Sequence, residues 1–139
     1  MSQLSQADPA KLEAVWAALM PQPSHRWLRP AETGLVMLRG RAGGTGQPFN
    51  LGEMTMTRAS VLLAGNRHFT GFGYVAGRAA RHAELAALFD ALLQDDERRP
   101  ALLVELMQPL EAAAAARAAR AAAVAPTRVD FMTMVRGND

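Results

Sequence analysis

The feature that most constrains this chain is the stretch from Thr33 to Leu63, where two apolar-rich runs flank the glycine-rich break Gly43, Gly44 and Gly46. Glycine takes positive φ at no steric cost, so the backbone can reverse there and lay the second run antiparallel to the first. In the first run, Thr33 to Arg41, Leu35 and Met37 fall on one face and Val36 and Leu38 on the other. In the second, Phe49 to Leu63, Met54, Met56 and Arg58 oppose Glu53, Thr55 and Thr57, and the run is either one long strand or a strand with a bulge at Gly52. Apolar side chains on both faces predict a strand covered on two sides, the second cover being another element or another subunit.

The remaining segments organise around this hairpin. Asp8 and Pro9 are an N-cap and first-turn proline, and Leu12, Val15, Trp16 and Leu19 follow at helical spacing until Pro21 and Pro23 stop the helix. So short a helix must dock, with Trp16 as its anchor. Residues 25–30 read as a short edge strand that Pro30 ends or interrupts. After a turn at 64–67, Phe69 to Ala76 is a further strand, and Gly71 and Gly73 leave one face of it bare for close approach by a ligand or a backbone. Arg78 to Gln94 is a helix with Leu85, Leu88, Phe89 and Leu92 on its core face and His82 at the border. A charged turn at 95–100 leads to a helix from Pro100 that Pro109 breaks or kinks, then an alanine-rich connector helix over 110–125. Residues 127–137 alternate Val129, Phe131, Thr133 and Val135 with Asp130, Met132, Met134 and Arg136, a closing strand for its own sheet or a neighbour's. The expected fold is a single α+β domain, 1–139: an antiparallel β-meander with an N-terminal helix, two to three C-terminal helices and a final C-terminal strand.

Charge is uneven along the chain. Net charge is +2, yet residues 26–81 carry eight arginines against Glu32 and Glu53, and residues 82–111 carry seven acids against Arg98 and Arg99. The basic segment favours anionic ligands or an acidic partner surface. Arg39, Arg41 and Arg58 flank the glycine turn. They are candidate phosphate ligands, together with the amides of Gly43, Gly44 and Gly46. The competing reading is a solvated hairpin loop.

Cysteine is absent, which excludes disulfides, thiolate zinc, iron–sulfur ligation and a cysteine nucleophile on this chain. The N-terminus lacks the basic and apolar regions of a signal peptide and no apolar run spans a membrane, so the cytoplasm is expected. The glycine loop is followed by a strand and lacks the Lys-Ser/Thr of a nucleotide-binding P-loop, and it fails the dinucleotide fingerprint for the same reason. Neither a nucleophile–His–acid set nor a metal-ligand spacing stands out. A nucleic-acid role lacks aromatic residues among the arginines.

In order along the chain, Ala31–Val36 (AETGLV), Arg41–Gly46 (RAGGTG), Phe49–Ala59 (FNLGEMTMTRA), Gly73–Arg78 (GYVAGR), His82–Leu92 (HAELAALFDAL) and Arg128–Gly137 (RVDFMTMVRG) resemble the PhnG family. These are small subunits of the bacterial carbon–phosphorus lyase system. The resemblance implies PhnH-, PhnI- and PhnJ-type partners, the PhnI type most directly. It also implies a part in displacing adenine from ATP by a phosphonate, giving α-D-ribose 1-phosphonate 5-triphosphate. The principal catalytic groups then belong to the PhnI-type subunit and the iron–sulfur cluster to the PhnJ type, leaving this chain with no cofactor or metal of its own. Such a subunit is inactive alone and self-associates when isolated. An alternative gives it part of the site, with Arg39, Arg41 and Arg58 on phosphate oxygens and His82 assisting proton transfer to departing adenine.

Overall fold

The computed structural model describes residues 2–41, 45–64 and 68–124. Asp8 caps the first full helix as its side chain predicts: Oδ1 accepts from the Ala10 amide at 3.0 Å. That helix is α2, Pro9–Ala18, and a single turn, α1, Ser2–Ser5, precedes it. Three strands follow, β1 His25–Arg41, β2 Pro48–Leu63 and β3 Phe69–Ala76, then α3 Ala80–Leu92 and α4 Arg99–Leu102. A π-helical turn over Leu103–Met107 and α5, Gln108–Val124, complete the described chain. The strands form one antiparallel sheet in the order β1-β2-β3, the meander expected from the sequence.

Two local expectations left alternatives that the structure separates. Pro30 interrupts the strand without ending it: β1 runs through it, with register shifts between Trp27 and Arg29 and between Arg29 and Glu32. Bulges at an edge absorb a residue that has no N–H to give to the ladder. Pro109 does not break the helical run but follows a local irregularity in it. The Gln108 amide reaches back to the Leu103 carbonyl, and this widened turn takes up the ring that would collide with the carbonyl four residues earlier. The bulge at Gly52 is present: Leu38 pairs with Gly52 but Arg39 with Asn50, leaving Leu51 as the extra residue. Gly52 itself has φ +149°. The expected strand over 127–137 lies outside the described residues.

The helices lie on one face of the sheet. Register places Ala59, Val61, Leu63, Gly71, Gly73 and Val75 on that face, and α3 crosses it so closely that its backbone meets the two glycines. A Cβ at Gly71 would overlap the Ala87 carbonyl oxygen, and one at Gly73 the Ala83 carbonyl oxygen. The bare face of β3 therefore receives a helix backbone, one of the two occupants its glycines allowed. Because α1 and α2 pack on the far side of α3, that helix is buried on nearly all sides, with Ala83, Ala87 and Ala91 added to the expected leucines and Phe89. Trp16 anchors α2, edge-on to Phe89 at 6.3 Å and to His25 at 5.9 Å between ring centroids. An Arg81–Glu13 fork, both contacts 2.9 Å, ties α2 to α3 from outside.

Thr57 locks the sheet to the start of α3. Its fully buried hydroxyl donates to the Gly77 carbonyl at 2.6 Å and accepts from the Ala79 amide at 3.1 Å. With its one proton spent on Gly77, the 3.0 Å contact to Thr33 Oγ1 has Thr33 as donor. Gly77 sits at φ +84°, the turn that brings the chain from β3 onto the helix.

Candidate functional site

β3 pairs with β2 only from Met56 to Leu63, whereas β1 and β2 continue together to Arg41 and Pro48. Beyond Met56 the sheet is thus a two-stranded ribbon, past the reach of β3. Its side chains are greasy and uncovered: Leu35 is 64% exposed, Leu51 61%, and Met37, Leu38 and Phe49 are exposed as well. Isolated two-stranded ribbons are marginal in water, and contiguous apolar exposure of this kind marks an interaction surface. The uncovered surface continues along the sheet face opposite α3, where Phe72 and Tyr74 stand exposed beside Met54 and Met56.

A polar row crosses this open face. Glu32 pairs in register with Arg58, and Arg58 with Tyr74, so three strands each contribute one residue. Glu32 Oε1 accepts from Arg29 Nη1 at 2.7 Å and from Arg58 Nε at 2.6 Å. The hydrogen bond from Arg29, then that from Arg58, holds the Glu32 carboxyl below its ordinary pKa. Gly34, Val36 and Met56 complete a shallow recess of about 340 Å³ around the row. At the ribbon tip, Arg39, Gly40, Arg41 and Pro48 bound a second, more open hollow of about 490 Å³, and Arg41 Nη1 donates to the Gly46 carbonyl at 3.1 Å.

The residues singled out from the sequence do not converge. Arg39 lies seven residues along β1 from Glu32, the register partner of Arg58. At about 3.3 Å per residue that is some 23 Å, too far for one phosphate to bridge. Arg39 and Arg41 share the tip with Gly46; Gly43 and Gly44 lie outside the described residues. His82 is not at a border but buried, 7% exposed, with Nε2 2.8 Å from the Leu4 carbonyl. The unforeseen turn α1 produces this burial by laying Leu4 over the helix. Glu32 and Tyr74 were not recognised from the sequence, because their alignment with Arg58 exists only through strand register. Among the described residues no cluster of three or more His, Asp or Glu side chains suits a metal ion, and no helix is long and apolar enough to cross a membrane.

Comparison with known proteins places this architecture. The family model described as "Phosphonate metabolism protein PhnG" matches residues 1–137. The α-D-ribose 1-methylphosphonate 5-triphosphate synthase subunit PhnG of Rhizobium meliloti (strain 1021) is 43% identical over 141 aligned positions. The alignment covers all of this chain and 88% of that protein. A match of this extent shows that the chain, with its exposed apolar ribbon and open sheet face, belongs to the PhnG family.

Proposed function

We propose that this protein is a supporting subunit of a complex that replaces the adenine of ATP with a phosphonate, yielding α-D-ribose 1-phosphonate 5-triphosphate. In that exchange the bond from ribose C1′ to adenine breaks, a bond from C1′ to a phosphonate oxygen forms, and adenine leaves with a proton. The observation that carries the reading is the full-length similarity to a subunit of a synthase for the methylphosphonate product. The uncovered ribbon supports it. A chain with both ribbon faces apolar and exposed is suited to completing a partner's structure. In this reading the ribbon and open sheet face receive a PhnI-type subunit, and PhnH- and PhnJ-type subunits join the same assembly. Iron–sulfur chemistry belongs to another chain, this one having no thiolate to offer.

Co-expression with a PhnI-type subunit tests the proposal. The two should co-purify, and the pair should melt above the isolated chain. A chain that stays alone and gains no stability in the partner's presence refutes it.

The hollow at the ribbon tip favours one refinement: Arg39 and Arg41 supply charge to triphosphate or phosphonate oxygens once the complex forms. Arg58, engaged by Glu32, is the weaker candidate. Replacing Arg39 and Arg41 together by alanine should leave assembly intact and raise the KM for ATP or phosphonate. An unchanged KM removes the refinement and leaves the subunit role untouched.

A further inference from the structure

The two edges of the sheet are finished differently. On β3, Asp90 of α3 accepts the outward Phe72 amide at 3.0 Å and Gln94 donates to the Thr70 carbonyl at 2.8 Å. Two successive outward positions of that edge are thus occupied by side chains of the covering helix and of the turn that follows it, a protection against further strand pairing. Among the described residues, β1 has nothing comparable beyond Glu32. The Gly77 amide donates to the Thr55 carbonyl, so Thr55 and Thr57 turn their backbone groups toward β3, and Met54, Met56 and Arg58 turn theirs toward β1. Through the register, Glu32, Gly34 and Val36 answer β2, and Thr33, Leu35 and Met37 present their N–H and C=O groups outward. No described strand lies beyond them. This open edge is bordered by exposed Leu35 and Met37.

The sequence holds a segment of matching length and pattern. Residues 127–137 number eleven and alternate throughout, about 36 Å if extended, against about 33 Å for the ten residues from Glu32 to Arg41. Antiparallel alignment with Arg136 across from Glu32 puts Val135, Thr133 and Phe131 across from Thr33, Leu35 and Met37. It also puts Asp130 across from Leu38, beside Arg39. Both charges then find a partner of opposite sign.

The path of α5 indicates whose edge is filled. Only Leu110 of α5 is buried, and residues 115–124 are all exposed, carrying the chain about 15 Å past its last partly buried residue. Near its start α5 touches α1, and α1 touches β3, the edge strand opposite β1 in the sheet. Only Ala125 and Pro126 separate the helix end from residue 127. We propose that in the isolated protein residues 127–137 of one copy add as a fourth strand to the β1 edge of a second copy, reciprocally, closing a two-fold dimer.

Three variants test this on the isolated full-length chain, independently of the subunit reading. Light scattering should give a dimer for the unmodified protein and a monomer for a chain ending at Pro126. Leu35→Pro removes an outward N–H without touching the β1–β2 ladder, so it should give a monomer with unchanged helix content. Because the chain has no cysteine, Met37→Cys protein mixed with Phe131→Cys protein should form a disulfide joining two chains. A dimer that survives both Leu35→Pro and truncation overturns the proposal. So does a monomeric unmodified chain, or a Met37→Cys/Phe131→Cys double variant that closes its disulfide within one chain.

Discussion

Gly73→Ala is the sharpest test of how α3 is seated on the sheet. The added Cβ would overlap the Ala83 carbonyl oxygen and lie 2.9 Å from the Ala87 amide nitrogen and 3.0 Å from the Ala83 carbonyl carbon. Ordinary contact begins near 3.4 Å, and all three atoms are helix backbone, which no rotamer change can move. Relief therefore requires α3 to lift, loosening Ala83 and Ala87 and drawing on the Ala79–Thr57 hydrogen bond at the helix start. Overpacking a core costs about 1–3 kcal/mol, and a backbone collision belongs at the upper end. Removing a glycine restrains the unfolded chain and returns roughly 0.4–1 kcal/mol. The net expectation is a loss of about 2 kcal/mol, or on the order of 8 °C in Tm for a chain of this size. Urea unfolding followed by circular dichroism measures it. Gly34→Ala is the internal control: nothing lies within 4 Å of its Cβ, so it should be neutral or slightly stabilising. If Gly73→Ala unfolds within about 0.5 kcal/mol of the unmodified protein, the close seating of α3 is wrong.

Other outcomes follow from the same contacts. Thr57→Val strands the Gly77 carbonyl and the Ala79 amide and should cost about 1–3 kcal/mol in a denaturant titration; an unchanged midpoint would mean the hydroxyl is not the lock between sheet and helix. His82→Ala should lower the melting temperature of the isolated chain, yet leave the turnover of the assembled complex per folded subunit unchanged; a turnover loss with a normal melt would restore His82 as a proton-transfer group. Hydrogen bonds from Arg81 to Glu13 and from Arg29 and Arg58 to Glu32 hold both carboxyls below their ordinary pKa. Their contribution is therefore complete above the unfolded carboxylate pKa of about 4.3 and lost as pH falls below it toward the folded values. Glu13→Gln with Glu32→Gln should flatten the acid limb of a Tm–pH curve, and an unaltered limb would place the acid sensitivity elsewhere. Arg58→Ala leaves Glu32 with Arg29 alone on the open face and should weaken recovery of the chain with a PhnI-type subunit more than it alters the isolated chain's melt; equal recovery would exclude that row from the interface.

Much of the architecture was legible in the residues because it depends on local chemistry. Asp8-Pro9 fixes where α2 starts, and period-two alternation fixes which side chains of β1 and β2 share a face. The apolar residues on both faces of that hairpin were legible too, but the cover they predict is not found among the described residues, where Leu35, Met37 and Leu51 stand exposed. Pro30 and Pro109 left their outcomes open for a common reason: proline forbids one hydrogen bond, but whether the chain then ends or bulges depends on the neighbours that hold it in line.

What tertiary structure alone decided is where distant residues meet. No periodicity foretells that α1 folds Leu4 over His82, turning a border imidazole into a core one. Arg39, Arg41 and Arg58 are near one another in the sequence around a turn, yet an extended strand pulls Arg58 some 23 Å from Arg39 and register hands it to Glu32 and Tyr74 instead. Local pattern sets what each segment becomes, since capping and alternation act over a few residues. Which groups share a site depends on register and helix seating, and those are set by contacts tens of residues apart.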